Sequence, residues 1–144
     1  MKSSFLTIIQ PDFSATVVRP LFLSKVPAGF PSPADDYIES KLDLNEHLIK
    51  HKAATFFVKV TGDSMLGAGI HDGDMLIVDR ALEAQDKSVV VAVVNGEFTV
   101  KRIKKENGSV WLMPENSKYK PMEIKEGSEL EVWGVVTNVI HKLG

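Results

Sequence analysis

The sequence predicts a mainly β domain of twisted antiparallel strands with one short helix, preceded by an extended N-terminal arm. Three observations carry that reading. From Thr55 onward, β-branched and aromatic residues recur in short runs bounded by turn residues. Asn95-Gly96 separates two of those runs, and this dipeptide readily supplies the two positive φ angles of a two-residue hairpin turn. Five of the seven prolines, Pro11, Pro20, Pro27, Pro31 and Pro33, crowd into residues 1–35, where fixed φ and missing N–H groups disfavour long helices and central strands.

Taken in chain order, the proline-rich arm keeps two short apolar pieces, Phe5 to Ile9 and Leu21 to Leu23, suited to edge strands or to lying on a core. The helix is signalled by Asp43-Leu-Asn-Glu46, an acid at the N-cap followed by Glu at N3, with Leu44, Leu48 and Ile49 at helical spacing and an end expected near His51. Strands are then expected at Thr55 to Val60, Met75 to Val78, Ser88 to Val94, Glu97 to Ile103, Val110 to Met113 and Glu131 to Ile140. Asp72-Gly73 and Asn107-Gly108 mark further turns. No internal repeat is present, and 144 residues suit one core.

Composition narrows the function. Lys and Arg number 17 against 19 Asp and Glu, a net charge of −2, so the chain lacks the basic stripe expected of a protein that grips phosphates, and direct sequence-specific DNA binding is not expected. The absence of cysteine rules out a disulfide framework, a thiolate metal site and a cysteine nucleophile together. No apolar run approaches a membrane span, and residues 1–25 lack a signal-peptide pattern, so a cytoplasmic location without membrane contact is expected.

Any nucleophile must then be Ser, Thr or Lys. Ser64 lies in Gly62-Asp63-Ser64-Met65, between a strand and Leu66-Gly67-Ala68-Gly69. It departs from the G-x-S-x-G elbow, since Leu66 stands two residues later, and a turn serine that merely bonds backbone is the plain alternative. Lys101 lies in Glu97-Phe-Thr-Val-Lys-Arg-Ile103, where alternation puts Thr99, Lys101 and Ile103 on one face. On a partly apolar face desolvation disfavours the ammonium, and a neutral amine can take a serine proton; the alternative is a lysine snorkelling to solvent. His47 and His51 have the i, i+4 spacing of zinc ligands but no activating Glu between them, and His71 and His141 look isolated. No metal and no cofactor are expected. Trp111, Trp133 and Phe98 read as core or dimer surface.

Four segments in order, Ala28-Gly29-Phe30-Pro31-Ser32-Pro33, Gly62-Asp63-Ser64-Met65, Asp72-Gly73-Asp74 and Asn95-Gly-Glu-Phe-Thr-Val-Lys101, resemble the LexA/UmuD family of self-cleaving serine peptidases, and its UmuD-like branch in particular. The resemblance runs from about Phe22 onward, with Ser and Lys 37 positions apart (101 − 64). It implies a Ser-Lys dyad with Ser64 as nucleophile and Lys101 as general base, an oxyanion hole from the backbone N–H groups of Asp63 and Ser64, and a scissile bond at Ala28-Gly29. It also implies a regulatory arm, residues 1–28, removed by self-cleavage, and a peptidase domain, residues 29–144.

In function, the resemblance implies an SOS-response homodimer whose cleavage is stimulated by the RecA filament on single-stranded DNA. The shortened dimer would join a Y-family polymerase catalytic subunit for translesion synthesis. The 28 residues before Gly29 leave no room for the DNA-reading head of a repressor. Alternatives are a non-cleaving binding module of the same fold, a phage-type repressor fragment, and a signal-peptidase-like enzyme, against which the missing membrane anchor counts.

Overall fold

The computed structural model describes residues 7–22, 28 and 38–144. They form β1 (Thr7–Ile9), β2 (Val18–Phe22), β3 (Ile38–Asp43), α1 (Leu44–Leu48), β4 (Thr55–Lys59), β5 (Met75–Asp79), β6 (Val89–Val94), β7 (Glu97–Glu106), β8 (Ser109–Met113), β9 (Met122–Ile124) and β10 (Leu130–Ile140). Single 3₁₀ turns occur at Lys52–Ala54 and Leu66–Ala68. The fold is mainly β, with antiparallel pairing throughout. The chain divides into two compact units, one of residues 12–50 and one of residues 1–11 with 51–144.

In the larger unit eight strands run in the order β1-β4-β5-β10-β6-β7-β8-β9. Alternation along β6 builds two cores. Val91 joins Val58, Leu76, Val78 and Val100 in one cluster, while its neighbours Val90 and Ala92 join Ile103, Leu112 and Val135 in the other. Trp133 packs against the first cluster, 5.3 Å from the Phe56 ring and 6.1 Å edge-on to Phe98, with the Arg80 guanidinium 4.6 Å above it. Trp133 and Phe98, expected as core or dimer surface, are partly buried against this core.

The turn chemistry is visible in the backbone. Asn95 and Gly96 have φ of 49° and 84°, and Asn107 and Gly108 have 49° and 76°, closing β6–β7 and β7–β8 as tight hairpins. β10 carries register shifts at Val132/Gly134 against β6 and at Val136/Asn138 against β5, bulges that let one long strand serve two neighbours.

Two elements depart from the sequence reading. The helix stops at Leu48 rather than near His51, because Ile49 is extended at φ −110° and ψ 108°; the Asp43 carboxylate caps it by accepting from the Asn45 N–H at 3.2 Å. His47 and His51 therefore share no helical face. His51 instead starts the 3₁₀ turn, and its Nδ1 lies 2.6 Å from Asp79 Oδ2. β9 was not expected at all: Met122–Ile124 pair with β8, and their apolar-polar-apolar alternation spans only three residues, too few to announce a strand.

In the smaller unit β2 pairs antiparallel with β3, with Pro20 opposite Lys41; a two-stranded sheet has only edges, where a missing N–H is tolerated. The expected arm strand near Phe5 to Ile9 is β1, whose Thr7–Ile9 form an edge on β4 in the larger unit. Phe5, Leu6 and Leu23 lie outside the described residues.

Candidate active site

Ser64 stands in the loop that leaves β4, and Lys101 in the middle of β7. The fold brings the Lys101 Nζ to 3.0 Å from the Ser64 Oγ. The same ammonium donates to Thr99 Oγ1 at 2.9 Å and to the Val100 carbonyl at 3.0 Å. Three donors thus meet three neutral oxygens, and among the described residues no carboxylate forms an ion pair with this amine. Burial in these surroundings holds the Lys101 pKa below its ordinary value, since desolvation penalises the charged form and no counter-charge offsets it.

The alternation of β7 explains the trio. Thr99 and Lys101 share a face, as the strand period requires, while Val100 turns into the first core and anchors the backbone between them. Thr99 was visible in the sequence only as a neighbour on that face; its hydroxyl is one of the oxygens that orient the amine.

A second segment, residues 115–119, braces the loop that carries Ser64. The Glu115 N–H donates to the Ser64 carbonyl at 2.8 Å, and the Gly67 N–H donates to the Glu115 carbonyl at 2.7 Å. Asn116 Nδ2 donates to the Asp63 carbonyl at 2.9 Å, and the Tyr119 hydroxyl donates to Asp63 Oδ1 at 2.5 Å. That bond to Asp63, assisted by desolvation, holds the Tyr119 phenol above its ordinary pKa. Glu115 is itself held by Arg102, whose Nε donates to its Oε1 at 2.5 Å. Sequence reasoning missed Glu115, Asn116 and Tyr119, because contacts between residues some 50 positions apart leave no local pattern.

Behind the loop, the Asp72-Gly73 turn completes the support: Asp72 Oδ1 accepts from the Gly62 N–H at 2.8 Å, and the Gly73 N–H donates to the Val60 carbonyl at 2.8 Å. Ser64 is thereby held on both sides by backbone hydrogen bonds, a setting suited to a nucleophile that must not wander. An open groove lined by Lys87, Arg102, Lys104 and Glu115 lies nearby but contains neither Ser64 nor Lys101.

Of the expected scissile pair, Ala28 is exposed in a bend, and Gly29 lies outside the described residues. His71 and His141, isolated in the sequence, are not isolated in space: their rings lie 4.5 Å apart beside Asp74.

The peptidase S24-like family matches residues 20–137 of this chain. Protein SamA of Salmonella typhimurium is 47% identical over 123 residues, 85% of each chain. Protein MucA of Escherichia coli is 45% identical over 120 residues, 83% of this chain and 82% of its own. The LexA repressor of Clostridium perfringens is 42% identical over 108 residues, 75% of this chain but 53% of the repressor. The chain belongs to this peptidase family, as a UmuD-like member of its LexA/UmuD group. Among the described residues no helix is long and apolar enough to cross a membrane.

Proposed function

We propose that the protein is a self-cleaving serine peptidase that cuts its own chain at Ala28-Gly29, separating an arm, residues 1–28, from a peptidase domain, residues 29–144. The observation that carries this reading is the 3.0 Å approach of Lys101 Nζ to Ser64 Oγ in surroundings that lower the lysine pKa.

As a neutral amine, Lys101 takes the Ser64 proton while Oγ attacks the Ala28 carbonyl carbon. The resulting oxyanion is received by the backbone N–H groups of Asp63 and Ser64, donors of a kind worth about 3–4 kcal/mol each in the transition state. Collapse breaks the C–N bond, and the Lys101 ammonium returns the proton to the Gly29 amine. Water, deprotonated by the same amine, then releases the acyl group from Ser64. Thr99 orients the amine throughout.

The wider role follows the UmuD-like membership. The protein acts as an SOS-mutagenesis subunit in the cytoplasm, a homodimer whose cleavage the RecA filament on single-stranded DNA promotes. The shortened form joins a Y-family polymerase catalytic subunit in translesion synthesis.

The test is incubation of the purified chain at alkaline pH, with and without RecA filaments, followed by mass spectrometry. A fragment beginning at Gly29 is expected; intact chain under both conditions would instead support a binding module that has kept the fold without the chemistry.

A further inference from the structure

The last residues of the sheet and the turn before β5 converge on one buried carboxylate. β10 pairs antiparallel with β5, and Ile140 lies opposite Met75. The residue after Ile140 and the residue before Met75, His141 and Asp74, are therefore neighbours despite a separation of 67 positions. His71 is three residues before Asp74, in the same turn.

The geometry of the three side chains is that of a ligand set. The Asp74 carboxylate is 2% exposed, while the imidazoles of His71 and His141 above it are 49% and 41% exposed. His141 Nδ1 lies 2.5 Å from Oδ1 and His71 Nδ1 lies 3.6 Å from Oδ2. The second distance is too long for a hydrogen bond, so the two rings, tilted by 34°, face the carboxylate without both being bonded to it. All three donor atoms fall within 4.8 Å of one another. Around a tetrahedral zinc ion with bonds of ~2.0–2.2 Å, neighbouring ligands stand roughly 3.3 Å apart. Small rotations of two half-exposed rings bridge that difference.

The surroundings are also those of a metal site. The His71 backbone N–H donates to Asp74 Oδ2 at 2.7 Å and fixes the carboxylate plane, the outer-sphere support that ligating carboxylates ordinarily have. The Asp74 carbonyl accepts from the Val60 N–H at 2.9 Å, so the backbone of the ligand is tied to the end of β4. Two imidazoles and one carboxylate suit a borderline transition metal and not magnesium or calcium, which favour sets built mainly of oxygen.

We propose that His71, Asp74 and His141 form a binding site for a divalent transition-metal ion of the zinc class, with a fourth position open to water. Such an ion joins the turn before β5 to the end of β10. The same turn carries Asp72, which holds the Gly62 N–H two residues ahead of Ser64, so the site lies behind the nucleophile loop without contributing to its chemistry.

The experiment is calorimetric titration of the full chain, stripped with chelator, using Zn²⁺, with Mg²⁺ as the contrasting ion. One Zn²⁺ per chain is expected, with affinity at least tenfold weaker in both His71→Ala and His141→Ala, full affinity in His47→Ala, and no comparable Mg²⁺ binding. Co²⁺ should give the intense visible absorption of a four-coordinate site in the parent and lose it in His141→Ala. Both histidines are half-exposed, so neither variant should unfold, and circular dichroism checks this. Absence of saturable Zn²⁺ binding, binding that survives both substitutions, or equal binding of Mg²⁺ would overturn the assignment.

Discussion

The Tyr119 hydroxyl donates to the Asp63 carboxylate at 2.5 Å, joining positions 56 residues apart, and it does so at the residue immediately before Ser64. The loop that carries Ser64 is thus held by a side chain outside the Ser64–Lys101 pair. Tyr119→Phe should leave the fold intact and slow self-cleavage by about three- to tenfold, through a less well placed Ser64. A pH profile of cleavage with unchanged shape separates this positioning effect from any change in the base.

Gly67 makes the other essential close approach. A Cβ there would lie 2.8 Å from the Glu115 carbonyl oxygen, a backbone atom that cannot rotate aside, while the Gly67 N–H donates to that same oxygen. Gly67→Ala should push residues 115–119 away from the loop and reduce cleavage by more than about tenfold. Single-turnover cleavage followed on gels reads the loss, and a rate equal to the parent's would show that the brace is dispensable.

The proposed Ser64–Lys101 dyad sets the strongest expectation. Ser64→Ala and Lys101→Ala should each lower the cleavage rate by more than about a thousandfold, with far-ultraviolet circular dichroism unchanged. Cleavage retained in either variant would reassign the nucleophile or the base.

Burial of Lys101 has two pH consequences. Cleavage should rise with pH through the lowered lysine pKa, because only the neutral amine accepts the Ser64 proton. Stability should rise as well: between that lowered pKa and the ordinary 10.5 the unfolded chain holds the proton more tightly than the folded one, so protons favour unfolding. The destabilising contribution is present in full below the folded pKa and gone above the unfolded one. Urea midpoints for the parent should therefore climb toward alkaline pH relative to Lys101→Met, measured with Ser64→Ala in both chains to prevent cleavage.

Gly134 occupies a bulge in β10 where a Cβ would fall 2.5 Å from Val78 Cγ1, on a valine that is fully buried. Gly134→Ala should cost about 1–3 kcal/mol by overpacking, seen as a lower urea midpoint with an unchanged slope.

The strands were legible wherever composition and punctuation agreed. The runs Ser88 to Val94 and Glu97 to Ile103, rich in branched residues and parted by Asn95-Gly96, became the β6–β7 hairpin, with β7 running on to Glu106. The helix was less legible: its start is marked by Asp43, but nothing local says that Ile49 turns extended. At the site, Ser64 and Lys101 each had an ordinary alternative, and only the order of four segments brought them together. The His71–Asp74–His141 group is a product of strand pairing, and Glu115, Asn116 and Tyr119 meet the Ser64 loop from a second loop; contact between distant segments is what a linear pattern conceals.

β5 and β6 follow one another in the chain but are parted in the sheet by β10, the last of the ten strands. Ser64 belongs to the half built on β4 and β5, and Lys101 to the half built on β6 to β9. Without β10, Ser64 and Lys101 would stand on two half-sheets that no strand joins. Closing the sheet between Ser64 and Lys101 thus falls to β10, the strand that pairs with both halves.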